Sequence, residues 1–137
     1  MDGRLFTVPF DVRDYECDIE GIVNNAVYQY YLEHARHQFL KSRGVEFARL
    51  AGGGIHLVVV RAELDYKSPL RSGERFVVTL AFQRLSPVRC QFLQEIRRTP
   101  GDPLILTATI VCAAMDARGK PMRLPASVHA LSGASKP

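Results

Sequence analysis

Phe6, Val8, Phe10 and Val12 alternate with non-core positions over residues 5–13, a period of two that predicts a strand, and Pro9 assigns that strand to a sheet edge or a bulge. Periodicity then disappears over 13–25, which reads as an ordered polar loop. At Ala26 the period becomes helical. Val27, Tyr28, Tyr31, Leu32, Ala35 and Phe39 form one broad apolar stripe, predicting a helix of about four turns. Asn24 or Asn25 is the expected N-cap, and Gly44 the expected stop. A short helical or irregular piece over 45–51 leads into Gly52-Gly53-Gly54, a flexible break. Four strands are expected after it, over 55–66, 74–85, 88–97 and 104–115, separated by turns that carry Pro and Gly. The last segment, from Arg118, reads as a short arm that frays over 126–137.

One long helix among consecutive strands predicts an α+β fold. A single helix of this length is covered only by a curved antiparallel sheet of about five strands wrapped around it. Residues 55–66 and 104–115 are apolar on both faces, which implies a second buried face of the sheet. A second copy extending or stacking the sheet would bury it.

Composition narrows the class. The chain has 137 residues, the size of one domain, so residues 1–137 are read as a single domain. With 47% hydrophobic and 23% charged residues, wholesale disorder is excluded. The longest apolar run, 110–115, is far short of the ~20 residues that span a bilayer, and no secretory signal is recognised. Three widely spaced cysteines, Cys17, Cys90 and Cys112, make no disulfide framework and suit a reducing cytoplasm. The net charge of +4 is scattered along the chain. That disfavours nucleic acid and leaves anionic small molecules or an acidic carrier protein as partners.

Chemistry concentrates in residues 12–28, where acidic side chains, Gly21 and two asparagines lie just before the helix. A carboxylate near a helix N-terminus sits at the positive end of the dipole and stays ionised. It can attack a carbonyl or deprotonate a water, and backbone N–H groups of the helix start can stabilise an oxyanion. The bland reading of Asp18 is a turn residue that satisfies backbone N–H groups. Asn24 and Asn25 serve equally as caps, Gly21 as a plain turn glycine, and Tyr28 and Tyr31 as core. Glu33 suits a pair with a neighbouring cation. His34 and His37 lack a third metal ligand at suitable spacing, and Cys17 lacks a basic partner for thiol chemistry. The glycine run is not followed by the Lys-Ser/Thr of a phosphate-binding loop.

Asp18-x-x-Gly21-Ile22-Val23, Asn25-Ala26-x-Tyr28 and Tyr31-x-Glu33-x-Ala35-Arg36 together resemble the signature of hotdog-fold acyl-CoA thioesterases. The nearest patterns are those of the 4-hydroxybenzoyl-CoA thioesterase and Tol-Pal-associated thioesterase group, with the string over residues 12–28 most like the plant and cyanobacterial acyl-thioesterase branch. Residues 62–74 and Pro121-Met122-Arg123-Leu124-Pro125 resemble later motifs of the same family, so the likeness covers nearly the whole chain. It implies a hotdog fold and hydrolysis of an acyl thioester, on coenzyme A or an acyl carrier protein, with no metal or organic cofactor. It also implies a homodimer or homotetramer with sites between subunits.

On the same resemblance Asp18 is the nucleophile or general base. Asn25 stands where several bacterial relatives carry a histidine, and Asp14 where they carry a tyrosine, so Asn25 orients by hydrogen bonding only. Gly21, Ile22, Val23 and Tyr28 are expected to line the substrate site. Lys67, Arg84 and Arg89, with Arg71, are expected to meet coenzyme A phosphates, although solvated surface charge is an equal reading. The rival functions are a hotdog enoyl-CoA hydratase or dehydratase and a non-catalytic acyl-binding module.

Overall fold

The computed structural model describes residues 5–131. Five strands form one antiparallel sheet in the order β1-β3-β4-β5-β2. They are β1 (Phe6–Asp11), β2 (His56–Tyr66), β3 (Arg75–Arg84), β4 (Arg89–Thr99) and β5 (Leu104–Met115). The sheet carries one long helix, α1 (Val27–Ser42), and two short ones, α2 (Phe47–Gly52) and α3 (Ala126–His129). This is the expected α+β architecture. Pro9 lies on an edge strand, β1, opposite Val77, where a missing N–H is tolerated. The other edge is β2, which pairs with β5 and not with its sequence neighbour β3.

α1 buries Tyr28, Tyr31, Leu32, Ala35, Phe39 and Leu40, and also Arg36. Its nearest strand neighbours are β3 and β1, where Phe39 meets Phe6 and Phe82 at ring-centroid distances of 5.6 and 6.0 Å. From β4 the core receives Cys90, Phe92, Gln94 and Ile96, and from β5 Leu106, Ala108, Ile110, Cys112 and Ala114. Val111 and Ala113 are buried as well, consistent with the two-sided apolar pattern of this interior strand.

Gly44 ends α1 at φ +80°. The N–H of Val45 donates to the Leu40 carbonyl at 2.8 Å and that of Gly44 to Lys41 at 3.0 Å, the paired bonds of a Schellman stop. The N-terminus differs from expectation. Ala26 holds the N-cap position in helical geometry, so neither asparagine caps by the usual route. Asn24 instead folds a turn beneath the helix: its Oδ1 accepts from the Ala26 N–H and its carbonyl from Val27, both at 2.9 Å.

The arm expected to fray from residue 126 does not do so at its start. α3 occupies Ala126–His129, and Val128 and Leu131 are buried in the main core, because these apolar side chains have core to cover. Residues 132–137 lie outside the described residues.

Candidate active site

The loop before α1 is a small, closed scaffold. The Asp18 N–H donates to the Ile22 carbonyl at 2.9 Å and the Gly21 N–H to the Asp18 carbonyl at 3.0 Å. Gly21 takes φ +82°, the left-handed conformation that makes this reversal cheap only for glycine. Cys17 and Val23 form an isolated antiparallel bridge across the base of the turn, and Ile22 bridges to Arg71. The Val23 N–H donates to the Leu70 carbonyl at 2.9 Å, and the Leu70 N–H donates to the Tyr28 hydroxyl at 3.2 Å. Thus the turn, the first helical turn and the segment after β2 are tied into one unit.

A second set of bonds holds the chain upstream. Glu16 Oε1 accepts from the Arg13 N–H and from the Tyr31 hydroxyl, both at 2.8 Å. The Glu16 carbonyl accepts from Asn24 at 3.0 Å, and the Ser72 hydroxyl donates to the Asp14 carboxylate. Burial, then the bond to Glu16, push the Tyr31 phenol well above its ordinary range. Tyr28 is raised by burial.

Asp18 itself is exposed. One carboxylate oxygen accepts from the Glu20 N–H at 2.9 Å, a turn-stabilising bond. The turn-residue reading of Asp18 is therefore seen directly. Asn25, seven residues further on, is exposed, and its carbonyl accepts from the Tyr66 hydroxyl at 3.3 Å. Of the backbone N–H groups around the helix start, those of Ala26 and Val27 are already taken by Asn24.

The other expected site residues divide. Gly21 is exposed and Ile22 half-buried on the same turn. Val23 and Tyr28 are core residues, 3% and 4% exposed, and anchor the turn from below instead of facing open solvent. Lys67 follows β2 at the end of the sheet where the Asp18 turn sits. Arg84 and Arg89 flank the β3–β4 hairpin at the opposite end, with Arg89 opposite Ala113 and Tyr66 opposite Leu106, about 23 Å along β5. One chain does not gather these three cations, and Arg84 makes a 2.6 Å contact with the His129 ring. His34 packs edge-on against Phe10, and His37 lies tilted against Phe47. Among the described residues no cluster of three His, Cys, Asp or Glu side chains is placed to hold a metal ion.

Gln94 escaped the sequence reading, and Arg36 entered it only as the end of a motif, with no role assigned. Both are buried, at 8% and 2% exposure, and the Arg36 Nη1 donates to Gln94 Oε1 at 3.1 Å. The signals were present: Arg36 lies four residues from both Leu32 and Leu40 on the apolar stripe, and Gln94 fills the gap between Phe92 and Ile96. Beside them a cavity of about 350 Å³ opens between α1, β2 and β5.

Comparison with known proteins places this geometry. The model of the thioesterase-like superfamily matches residues 12–131. The chain is 38% identical over 127 residues to acyl-acyl carrier protein thioesterase ATL3, chloroplastic, of Arabidopsis thaliana, covering 93% of this chain and 67% of that protein. It is 37% identical over 131 residues to acyl-acyl carrier protein thioesterase ATL2, chloroplastic, of the same plant, covering 96% and 70%. The fold superimposes on Slr0204, a 1,4-dihydroxy-2-naphthoyl-CoA thioesterase from Synechocystis, with a TM-score of 0.90 and 21% identity, over 94% of this chain and 96% of that one.

Proposed function

The chain belongs to the thioesterase-like superfamily and hydrolyses an acyl thioester, and from that premise we propose that Asp18 is its catalytic carboxylate. The observation that carries the reading is the Asp18–Ile22 turn: it is fixed by its own backbone bonds, pinned to Leu70 and Arg71 through Val23 and Ile22, and holds an exposed carboxylate in the loop that leads into α1. Such an oxygen attacks the thioester carbonyl, or takes a proton from a water that does so. The thiolate leaves and is protonated, and water releases the acid. Asn25 orients the water or the carbonyl through its amide. Oxyanion donors come from N–H groups at the helix start other than those held by Asn24.

The site completes itself between two copies. β2 is a long edge strand of 11 residues, and beside it Tyr30, Val59, Val60 and Tyr66 are exposed. An unpaired apolar edge of this kind favours a partner strand. A second copy seated there encloses the face of α1 toward β2 and turns the cavity into a seam for the acyl chain. The assembly is a homodimer or a dimer of such dimers. The leaving group is coenzyme A or an acyl carrier protein, and Lys67 and Arg71 stand at the Asp18 end to meet its phosphates.

Free-thiol release from a panel of acyl-CoA and acyl-carrier-protein esters tests this reading. Turnover with stoichiometric thiol and acid is expected. Saturable binding without thiol release would instead assign an acyl-binding module, and hydration of an enoyl-CoA without thiol release a hydratase.

A further inference from the structure

Arg36 and Gln94 are the polar interruptions of two apolar stripes, and the fold brings them together. Gln94 is fully engaged: its Oε1 accepts from Arg36 and its Nε2 donates to the Leu32 carbonyl, each at 3.1 Å. Arg36 is not. Of its five N–H donors, the bond to Gln94 is the one made to protein among the described residues. Among the described residues no fully enclosed side-chain N or O lacks a partner, so the remaining guanidinium N–H groups reach open space. That space is the cavity between α1 and the sheet, lined by Arg36 with Gln29 and Tyr30 of α1, Val59 of β2 and Ile110 of β5. The strand bulges at its wall: Val59 pairs with Cys112 and Arg61 with Val111, leaving Val60 over, a device that re-aims strands beside sites.

The charge has no ion-pair partner among the described residues; Cys112 and Glu33 act on it only at longer range. Glu33 lines the same cavity, its side chain 51% exposed and 3.9 Å from His37. Desolvating a guanidinium is costly unless its donors are used, and a neutral side chain would tie α1 to β4 through one bond without that cost. From Ala26 to Arg36 the helix rises about 15 Å, so the cation lies at depth from the Asp18 end.

We propose that Arg36 is a specificity residue that reads an oxygen on the acyl group, remote from the thioester. The favoured substrates are acyl thioesters whose chain carries a hydrogen-bond-accepting oxygen at its far end. A carboxylate is bound most tightly, since both partners are then charged, and a hydroxyl next. A plain alkyl end leaves the cation desolvated and unpaired, so it is rejected. This rests on the thioesterase reading above, with cleavage at the Asp18 end of the seam.

The test measures kcat/KM for decanoyl-CoA, ω-hydroxydecanoyl-CoA and the CoA half-ester of decanedioic acid, with the wild type, Arg36→Met and Arg36→Lys. The wild type is expected to favour both oxygenated esters by about tenfold or more. Arg36→Met should lose that preference, hydrolysing decanoyl-CoA at least as fast as wild type and the oxygenated esters more slowly, and Arg36→Lys should retain part of it. Equal wild-type rates on all three esters would overturn the proposal, and that arm needs no variant to fold. A uniform loss in Arg36→Met, or a change in its oligomeric mass, would assign Arg36 to the interface or the core and overturn it too. Failure to hydrolyse any ester would overturn the underlying thioesterase reading, a result distinct from hydrolysis without preference.

Discussion

Glu16 shows how a residue can support chemistry it does not perform. Its carboxylate joins the Arg13 N–H to the Tyr31 hydroxyl, and its carbonyl holds Asn24. The loop that carries Asp18 is therefore braced against α1 at one phenol. Tyr31→Phe is expected to lower stability by about 1.5–3 kcal/mol, the scale of a hydrogen bond to a charged group, and to lower kcat more than it raises KM; chemical denaturation and steady-state kinetics check this. His37 gives a pH signature. Burial first, then Arg36 and His34, lower its pKa from the ordinary value, against the pull of Glu33. The native state thus prefers the neutral ring. Its contribution is complete above the ordinary value and is lost as the pH falls from about 6.5 toward the lower native value. The melting temperature should fall over that range, and fall less in His37→Gln.

At the scale of elements, local signals were readable and distant ones were not. The stop at Gly44 follows from one residue's backbone freedom, and Gly44→Ala should cost about 1 kcal/mol, measured by thermal unfolding, because it forces a Cβ into φ +80°. The helix stripe and the strand alternation were legible for the same reason, as each reflects a fixed period. The cap was not, since Asn24 works through a turn whose geometry depends on its bond to Glu16. The partner of β2 was not legible either: β5 lies far along the chain, and nothing local distinguishes it from β3. The helical turn after residue 125 depends in the same way on core surface supplied by distant strands. Of the proposed site, Asp18 and Gly21 were visible through their motif. Gln94 was visible only as a flaw in a pattern and Arg36 as the end of a motif, and their meeting required the fold.

At the scale of the molecule, one chain leaves a face unfinished. β2 exposes Val59 and Val60, with Tyr30 and Tyr66 near it, and the three cations expected to bind phosphate are split between opposite ends of the sheet. The proposed pairing of two copies along β2 would cover that face. Val60→Lys should shift the assembly toward monomer in light scattering and reduce turnover in parallel, while the isolated fold persists by circular dichroism. No described helix is long and apolar enough to cross a membrane. The most direct measurement is the turnover of Asp18→Asn beside wild type on a hydrolysed acyl thioester, with binding and melting recorded on the same samples. The account predicts that kcat falls by about 10²–10⁴-fold, while affinity for the ester and melting temperature stay near wild type. A kcat within a few fold of wild type would contradict it.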